Sequence, residues 1–241
     1  MNFYNVNKNS FFNRYILDLP CGLCLLDTGY KWEYAEFLSL LKAKSLKKED
    51  IKYVIVTHAH ADHVGFLKKL IADVKPTVIY HPGQKKRLEA GKNDLNTYVS
   101  TFIALISSKI TTAFVDKYQC FPAVKCDDFV PYYENPLASY GVEFLPLSGH
   151  TDADLAVKYG GNLFCGDIFM NCFPASHRFP LWVLNKFRLV TSWEEILTHK
   201  EIATVYPSHG KPFDLVSINK DVEYWKTKGV FKLFNSKKNQ L

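Results

Sequence analysis

Apolar residues in this chain follow two different periods, and the switches between the periods lay out its elements. Tyr15 to Leu26 alternates and then runs apolar around Leu19-Pro20-Cys21-Gly22, which predicts a hairpin delivering Leu25-Leu26-Asp27-Thr28-Gly29. Tyr34, Phe37, Leu38 and Leu41 then recur at helical spacing and predict an amphipathic helix. Tyr53 to Val56 is β-branched enough for a strand buried on both faces, and Phe66, Leu67, Leu70 and Ile71 restore the helical period after it. Thr77 to Tyr80 predicts another strand, closed by His81-Pro82-Gly83 and followed by a charged helix. Leu95, Tyr98, Val99, Phe102, Ile103 and Ile106 predict an inserted helix within Asp94 to Ile110. Lys117 to Pro136, aromatic and punctuated by proline, predicts a surface loop.

Later in the chain, Val142 to Leu147, Leu155 to Tyr159 and Leu163 to Cys165 read as consecutive strands, with Gly160-Gly161-Asn162 as a tight turn. Ser192 and Glu195 have capping-box spacing ahead of a helix through Ile202, and Thr204 to Tyr206 is a short strand ending at Pro207-Ser208-His209-Gly210. Val216, Ile218, Val222, Trp225 and Phe231 mark a last amphipathic helix with a basic tail. No repeat, low-complexity tract or Gly/Pro/Ser-rich linker interrupts the chain, so residues 1–241 are expected to form one domain with an insertion at about 84–136.

Where strands stop, residues able to bind metal begin. His58-Ala59-His60-Ala61-Asp62-His63 places four such side chains within one loop, and His150, Asp167 and His209 each fall just after a later strand. Any one of them alone reads as a hydrogen-bonded core histidine or a turn aspartate. As a set at successive strand ends they point to metal, and the donors suffice for two ions.

Five segments carry a family resemblance: Leu25 to Gly29, Thr57 to His63, Gly149-His150-Thr151, Gly166-Asp167 and Ser208-His209-Gly210. In this order they resemble the five motifs of the metallo-β-lactamase superfamily. The resemblance implies an α/β fold, a four-layer αβ/βα sandwich of two mixed β-sheets flanked by helices, with metals at one edge. It assigns His58, His60 and His150 to a first metal, Asp62, His63 and His209 to a second, and Asp167 to a bridge between them. Asp27 matches the aspartate that supports the histidine loop without binding metal. The implied cofactors are two divalent ions, zinc first, with iron or manganese open. The implied reaction is hydrolysis by a hydroxide bridging both ions, with Asp62 as the catalytic residue that orients it and relays a proton.

Ligand variation narrows the reaction to branches similar to the glyoxalase-II-like thioesterases, the lactonases and the phosphodiesterases, and an ester, thioester or lactone-type small molecule is the expected substrate. One lactamase branch usually has Arg where this chain has His63, and the other dizinc lactamases generally lack a carboxylate at the position of Asp167. A phosphodiesterase of the same fold stays open, as does a mononuclear iron persulfide dioxygenase, which shares the Thr-His-x-His-Ala-Asp-His run. Two zinc or manganese ions mean a hydrolase and one iron an oxygenase. A metal-stabilised binding module is the non-enzymatic alternative, disfavoured because structural zinc sites are closed by four protein ligands.

Composition changes this picture little. With 47% hydrophobic and 22% charged residues the chain reads as globular, and its net charge of +6 comes from scattered lysines, so no nucleic-acid partner is expected. No apolar stretch suits a membrane span or a secretory signal, and a cytoplasmic location is expected. Six cysteines in a chain of this length fit reduced thiols, and Cys21-Gly22-Leu23-Cys24 reads as buried strand cysteines rather than a redox pair. Ile168 to Trp182 is the expected substrate-contacting loop, with His177 or Arg178 as anion-binding candidates or a surface pair. His81 reads as a turn histidine or a support to the site, and His199 as surface.

Overall fold

The structure is a computed structural model, and it describes residues 2–7, 11–93, 98–99, 115–229 and 231–232. The first sheet contains β1 (Asn2–Asn5), β2 (Tyr15–Leu19), β3 (Gly22–Leu26), β4 (Ile51–Ile55), β5 (Thr77–Tyr80) and β6 (Val130–Pro131), in that spatial order. β1, β2 and β3 pair antiparallel, and β3 through β6 pair parallel. The second sheet contains β7 (Val142–Leu147), β8 (Asp154–Tyr159), β9 (Asn162–Phe164), β10 (Thr204–Tyr206) and β11 (Phe213–Asp214), in the order β11-β10-β9-β8-β7. Its pairs are antiparallel except β9 with β10.

The period of two in each strand explains the layers, because successive side chains leave a strand on opposite faces. From the first sheet, Ile16, Leu25, Val54 and Val78 pack outward onto helices α1 (Tyr34–Ala43) and α3 (Leu67–Val74) through Phe37, Leu41, Leu67 and Leu70. Their neighbours Leu17, Cys24, Leu26, Ile55 and Ile79 face the other way, against Leu155, Val157 and Phe164 of the second sheet. Ala156, Leu163 and Val205 turn from that interface toward α5 (Lys186–Ile196) and α6 (Asn219–Thr227), where Trp193 and Trp225 are buried. Two sheets face to face with helices outside both make the expected four-layer αβ/βα sandwich. Short α2 (Ala61–Val64) follows β4, and α4 (Lys85–Ala90) follows β5.

The first hairpin forms as its pattern predicts, pairing Leu19 with Gly22 and Tyr15 with Leu26. Three later expectations differ. The helix expected from Ser192 begins earlier, capped by Asn185, whose side chain accepts the Arg188 N–H at 3.1 Å. Ser192 instead lies inside α5 and donates to the Ser148 carbonyl at 2.8 Å, a tertiary bond that mimics a cap in the sequence. The helix expected within 94–110 falls largely outside the described residues. Its described part, Tyr98–Val99, is extended and pairs with Trp182–Val183 and Phe231–Lys232. The last helix opens with a 3-10 turn at Leu215–Ile218, and the basic tail beyond 232 lies outside the described residues. Cys24 is buried in β3 with a free thiol that burial pushes up in pKa, as expected of a strand cysteine, whereas Cys21, expected to match it, is half-buried in the turn before β3, because the tight Leu19–Gly22 turn takes it out of the strand. Among the described residues, no helix is long and apolar enough to cross a membrane.

Candidate metal centre

The topology brings several chain segments to one edge. β3 and β4 run parallel and end there, and β7, β9 and β10 share a direction in the second sheet, so their C-terminal ends converge beside them. Ligand sites in α/β sheets form outside the carboxyl ends of strands for this reason. A backbone bond from Leu155 N–H to the Thr57 carbonyl, 2.8 Å, ties the two sheets together at this point.

After β4 the chain bends at Thr57 and is extended again at His60, with Ala59 packed in the core and His58 and His60 turned to the metal-capable cluster. One turn of α2 then brings in Asp62 and His63. Thr28 N–H and the Thr28 hydroxyl both donate to the His63 carbonyl, at 2.6 and 2.8 Å, and the Asn93 side chain accepts the Ala61 N–H at 2.8 Å. Gln84, fully buried, donates to the carbonyls of Val56, Thr57 and Ala153 and stiffens the loop from beneath. Asp167 follows Gly166, which has φ +56° and no room for a Cβ: that atom would lie 2.7 Å from Thr57 Oγ1.

Among the described residues, two groups of potential ligand atoms meet: His58, His60 and His150, and Asp62, His63, Asp167 and His209. In the first group, His150 Nε2 is 3.1 Å from both His58 Nε2 and His60 Nδ1. In the second, Asp167 lies 3.5 Å from His63 Nε2 and 3.3 Å from His209 Nε2, and Asp62 lies 3.4 Å from His209 Nε2. Asp167 Oδ2 also reaches the first group, 3.9 Å from His58 and 3.7 Å from His150. Donors around a tetrahedral ion with bonds of about 2.0–2.1 Å stand roughly 3.3 Å apart, close to these spacings.

Hydrogen bonds on the far sides of the rings fix where the protons are. His150 Nδ1–H donates to the Trp182 carbonyl at 2.8 Å and His209 Nδ1–H to the Phe11 carbonyl at 3.0 Å. His63 Nδ1–H donates to Asp27 Oδ2 at 2.8 Å. The Thr57 hydroxyl gives its one proton to Asp27 Oδ2 at 2.6 Å, so at His58 Nδ1, 3.1 Å away, it can only accept. His58 and His150 therefore turn two Nε2 lone pairs toward each other. A proton is a poor filler for that gap, because burial and the neighbouring His63, His60 and His150 hold the His58 pKa well below its usual value. Burial and His150 likewise lower His60, to about 3.

The second group is electrostatically different. Burial by itself would lower His63 and His209, but the Asp167 and Asp62 carboxylates outweigh it, raising His63 well above its usual value and His209 to about 10. Asp62 is held at about 2: burial opposes its ionisation, but His63 and His209 more than offset that. His63 Nε2, His209 Nε2 and Asp167 Oδ1 are nonetheless buried with no hydrogen-bond partner. Such atoms are costly unless a charge sits among them. The donor set is thus one that divalent ions fit, through nitrogen and oxygen alone.

A metallo-beta-lactamase superfamily model matches residues 15–209. The chain belongs to that superfamily. A protein of Methanocaldococcus jannaschii named "Probable metallo-hydrolase" is 24% identical over 224 residues, spanning 91% of this chain and 95% of its own. An archaeal superfamily protein from Sulfolobus tokodaii superposes with a TM-score of 0.67 at 16% identity, covering 98% of this chain and 90% of that one. A B3 metallo-beta-lactamase with an active-site glutamic acid gives 0.67 at 17% identity, covering 96% and 87%. A protein solved in a di-iron-bound form gives 0.61 at 20% identity, covering 90% and 96%. These structures share the superfamily fold, and at such identities the likeness extends no further.

Within that fold all seven predicted ligand residues meet at one place, and the remaining candidates do not join them. His177 and Arg178, expected near a substrate, both turn to Asp221: His177 Nδ1 lies 3.3 Å from it and the Arg178 guanidinium is ion-paired with it. His177 also stacks on Tyr224 at 3.8 Å. The pair locks the Ile168–Trp182 segment onto α6. His81 is a turn histidine, its Nδ1 accepting the Gly83 N–H at 3.0 Å, and His199 is partly exposed beside Glu201. Sequence reasoning missed the N-terminal loop, where the Phe11 carbonyl fixes His209 and Asn13 donates to the carbonyls of Pro207 and Gly210 at 3.0 and 2.6 Å. Nothing local signals those contacts, because their partners lie nearly two hundred positions away.

Proposed function

We propose that the chain is a metal-dependent hydrolase that binds two divalent ions and cleaves an ester, thioester or lactone of a small molecule. His58, His60 and His150 hold one ion, Asp62, His63 and His209 the other, and Asp167 both. The observation that carries the reading is the pair of imidazole lone pairs facing each other across 3.1 Å in a buried site, an arrangement that a cation makes favourable. Ions bound there supply a Lewis acid for a substrate oxygen and acidify water toward neutral pH.

The chain's own residues do the rest. Asp27 and Thr57 hold the imidazoles of His63 and His58 in the tautomer that leaves Nε2 free. Asp62 keeps 15% of its side chain exposed against 3% for Asp167, so it is the carboxylate placed to take a proton from entering water and return it to a leaving group. Zinc suits the imidazole and carboxylate donors, and iron and manganese suit them too.

Metal analysis of protein purified without added metal, paired with a panel of nitrophenyl esters, thioesters, lactones, a phosphodiester and a β-lactam, tests this. The expected result is two ions per chain and turnover of an acyl substrate that disappears in both His58→Ala and Asp167→Ala. One iron per chain, with oxygen consumed in the presence of glutathione persulfide and no hydrolysis, replaces the hydrolase with a dioxygenase. Turnover of the phosphodiester alone moves the reading to the phosphodiesterase branch.

A further inference from the structure

Exposed aromatic surface gathers on one side of the centre. Among the described residues, the large hydrophobics left exposed include Phe11 at 40%, Trp32 at 45% and Phe173 at 40%. These three belong to one chain of ring contacts that starts at a ligand candidate. The His209 ring meets Phe12 at 4.8 Å and Phe11 at 6.2 Å between centroids, and Phe11 meets Phe173 at 6.0 Å. Phe12 leads on to Tyr30 at 5.9 Å, and Tyr30 stacks on Trp32 at 4.4 Å with the planes 9° apart. Tyr118 packs edge-on to both, 5.8 Å from each, and Lys117 Nζ lies 5.4 Å from the Trp32 ring at the outer end.

We propose that this rim binds a flat apolar group of the substrate, so that the site prefers aryl esters, thioesters or lactones to small aliphatic ones. The inference rests on the hydrolase reading above and deepens it. A carbonyl reacting beside His209 must have the rest of its molecule within a few ångströms, and on this side the exposed side chains it can reach include Phe11, Trp32 and Phe173. The rim cannot drift from the ligands, because the Phe11 carbonyl that begins it accepts the His209 Nδ1–H. With Tyr30 stacked on it, Trp32 keeps 45% of its surface exposed, a rigid aromatic edge that suits a ring more than a flexible alkyl chain. Small-molecule sites commonly join an apolar lining to a few fixed polar groups, and here the polar groups are the metal ligands.

The test compares ethyl 2-naphthoate with ethyl acetate, hydrolysis being followed by proton release, on zinc-loaded protein, in Trp32→Ala and Phe173→Ala, neither residue being a ligand. In each variant kcat/KM for the naphthoate should fall roughly tenfold while that for the acetate stays within about twofold. Trp32→Phe should restore the naphthoate rate, and calorimetry should show 2-naphthoate binding weakened in Trp32→Ala. Equal losses on both esters, or none, overturn the rim. If no ester is turned over by wild-type protein yet naphthoate binding still falls in Trp32→Ala, the rim stands and the hydrolase reading fails. Hydrolysis with an unchanged naphthoate-to-acetate ratio in both variants gives the converse.

Discussion

Asp27→Asn isolates the role of one buried carboxylate with almost no change in volume. Asp27 has φ +58°, a region asparagine tolerates well, so the backbone should hold. Its Oδ1 accepts the Thr57 N–H at 2.8 Å, while its Oδ2 accepts both the Thr57 hydroxyl and His63 Nδ1–H. With the carbonyl oxygen of the new carboxamide kept on the backbone N–H, its amide nitrogen faces His63 Nδ1 and offers a proton instead of taking one. His63 then answers with the other tautomer, and its proton moves to Nε2, where a metal would sit. Loss of such a supporting partner weakens metal affinity about 10- to 100-fold, or roughly 1.4 to 2.8 kcal/mol. The Thr57 hydroxyl also loses its carboxylate acceptor and can turn its proton to His58 Nδ1, so the ion held by His58, His60 and His150 should weaken as well, though by less, because the Thr57 oxygen can still accept from His58. Competitive titration against a chromophoric chelator, resolving two dissociation constants, makes the comparison. Two unchanged constants would refute the tautomer argument, and equal weakening of both would mean that Asp27 supports the whole loop rather than His63.

Three further outcomes follow from particular contacts. Gly166→Ala should cost about 1 to 3 kcal/mol, measured by denaturant unfolding with metal present, because its Cβ must enter a left-handed backbone 2.7 Å from Thr57 Oγ1. Chelator-treated protein should lose stability as pH rises from about 6.5 toward 10: His209 sits at about 10 in the folded state, so its contribution is complete below its unfolded value and vanishes as it deprotonates. Metal-loaded protein should lack this slope, since a bound ion replaces that proton, and identical melting-temperature profiles for the two forms would count against it. Arg178→Ala should lower the melting temperature yet leave kcat/KM within about threefold, because Arg178 is spent on Asp221 and the Ser217 carbonyl; a large loss of activity in a folded variant would return it to the substrate loop.

The parts of the fold visible in the sequence were those in which neighbouring residues carry the message. Alternation in Tyr15–Leu26 set the first hairpin, and Phe37, Leu41, Leu67 and Leu70 set the helical faces. The ligands were legible for a related reason, since four of them share one loop and the others follow strand ends. What stayed hidden was settled by partners distant in the chain. Ser192 looks like a helix cap but bonds to Ser148, and His177 and Arg178 look free but meet Asp221. The aromatic rim was equally unreadable, because Phe11, Trp32 and Phe173 belong to segments that meet only once His209 is in position.

The wide spacing of the donors along the chain also orders events in time. The His58–His63 loop leaves the ribosome about 150 residues before His209, an interval of roughly eight to thirty seconds at ordinary elongation rates. During it the loop lacks His150 and Asp167 for most of the time and His209 to the end, so neither proposed ligand set would be complete early on. An ion captured early would exchange freely with whatever cations surround the nascent chain. On the proposed ligand sets, the ion held by Asp62, His63 and His209 would gain its last protein ligand only when Asn13 and the Phe11 carbonyl close on Pro207–Gly210, so the cation pool present at that closing step would bear on which ion that half of the centre keeps.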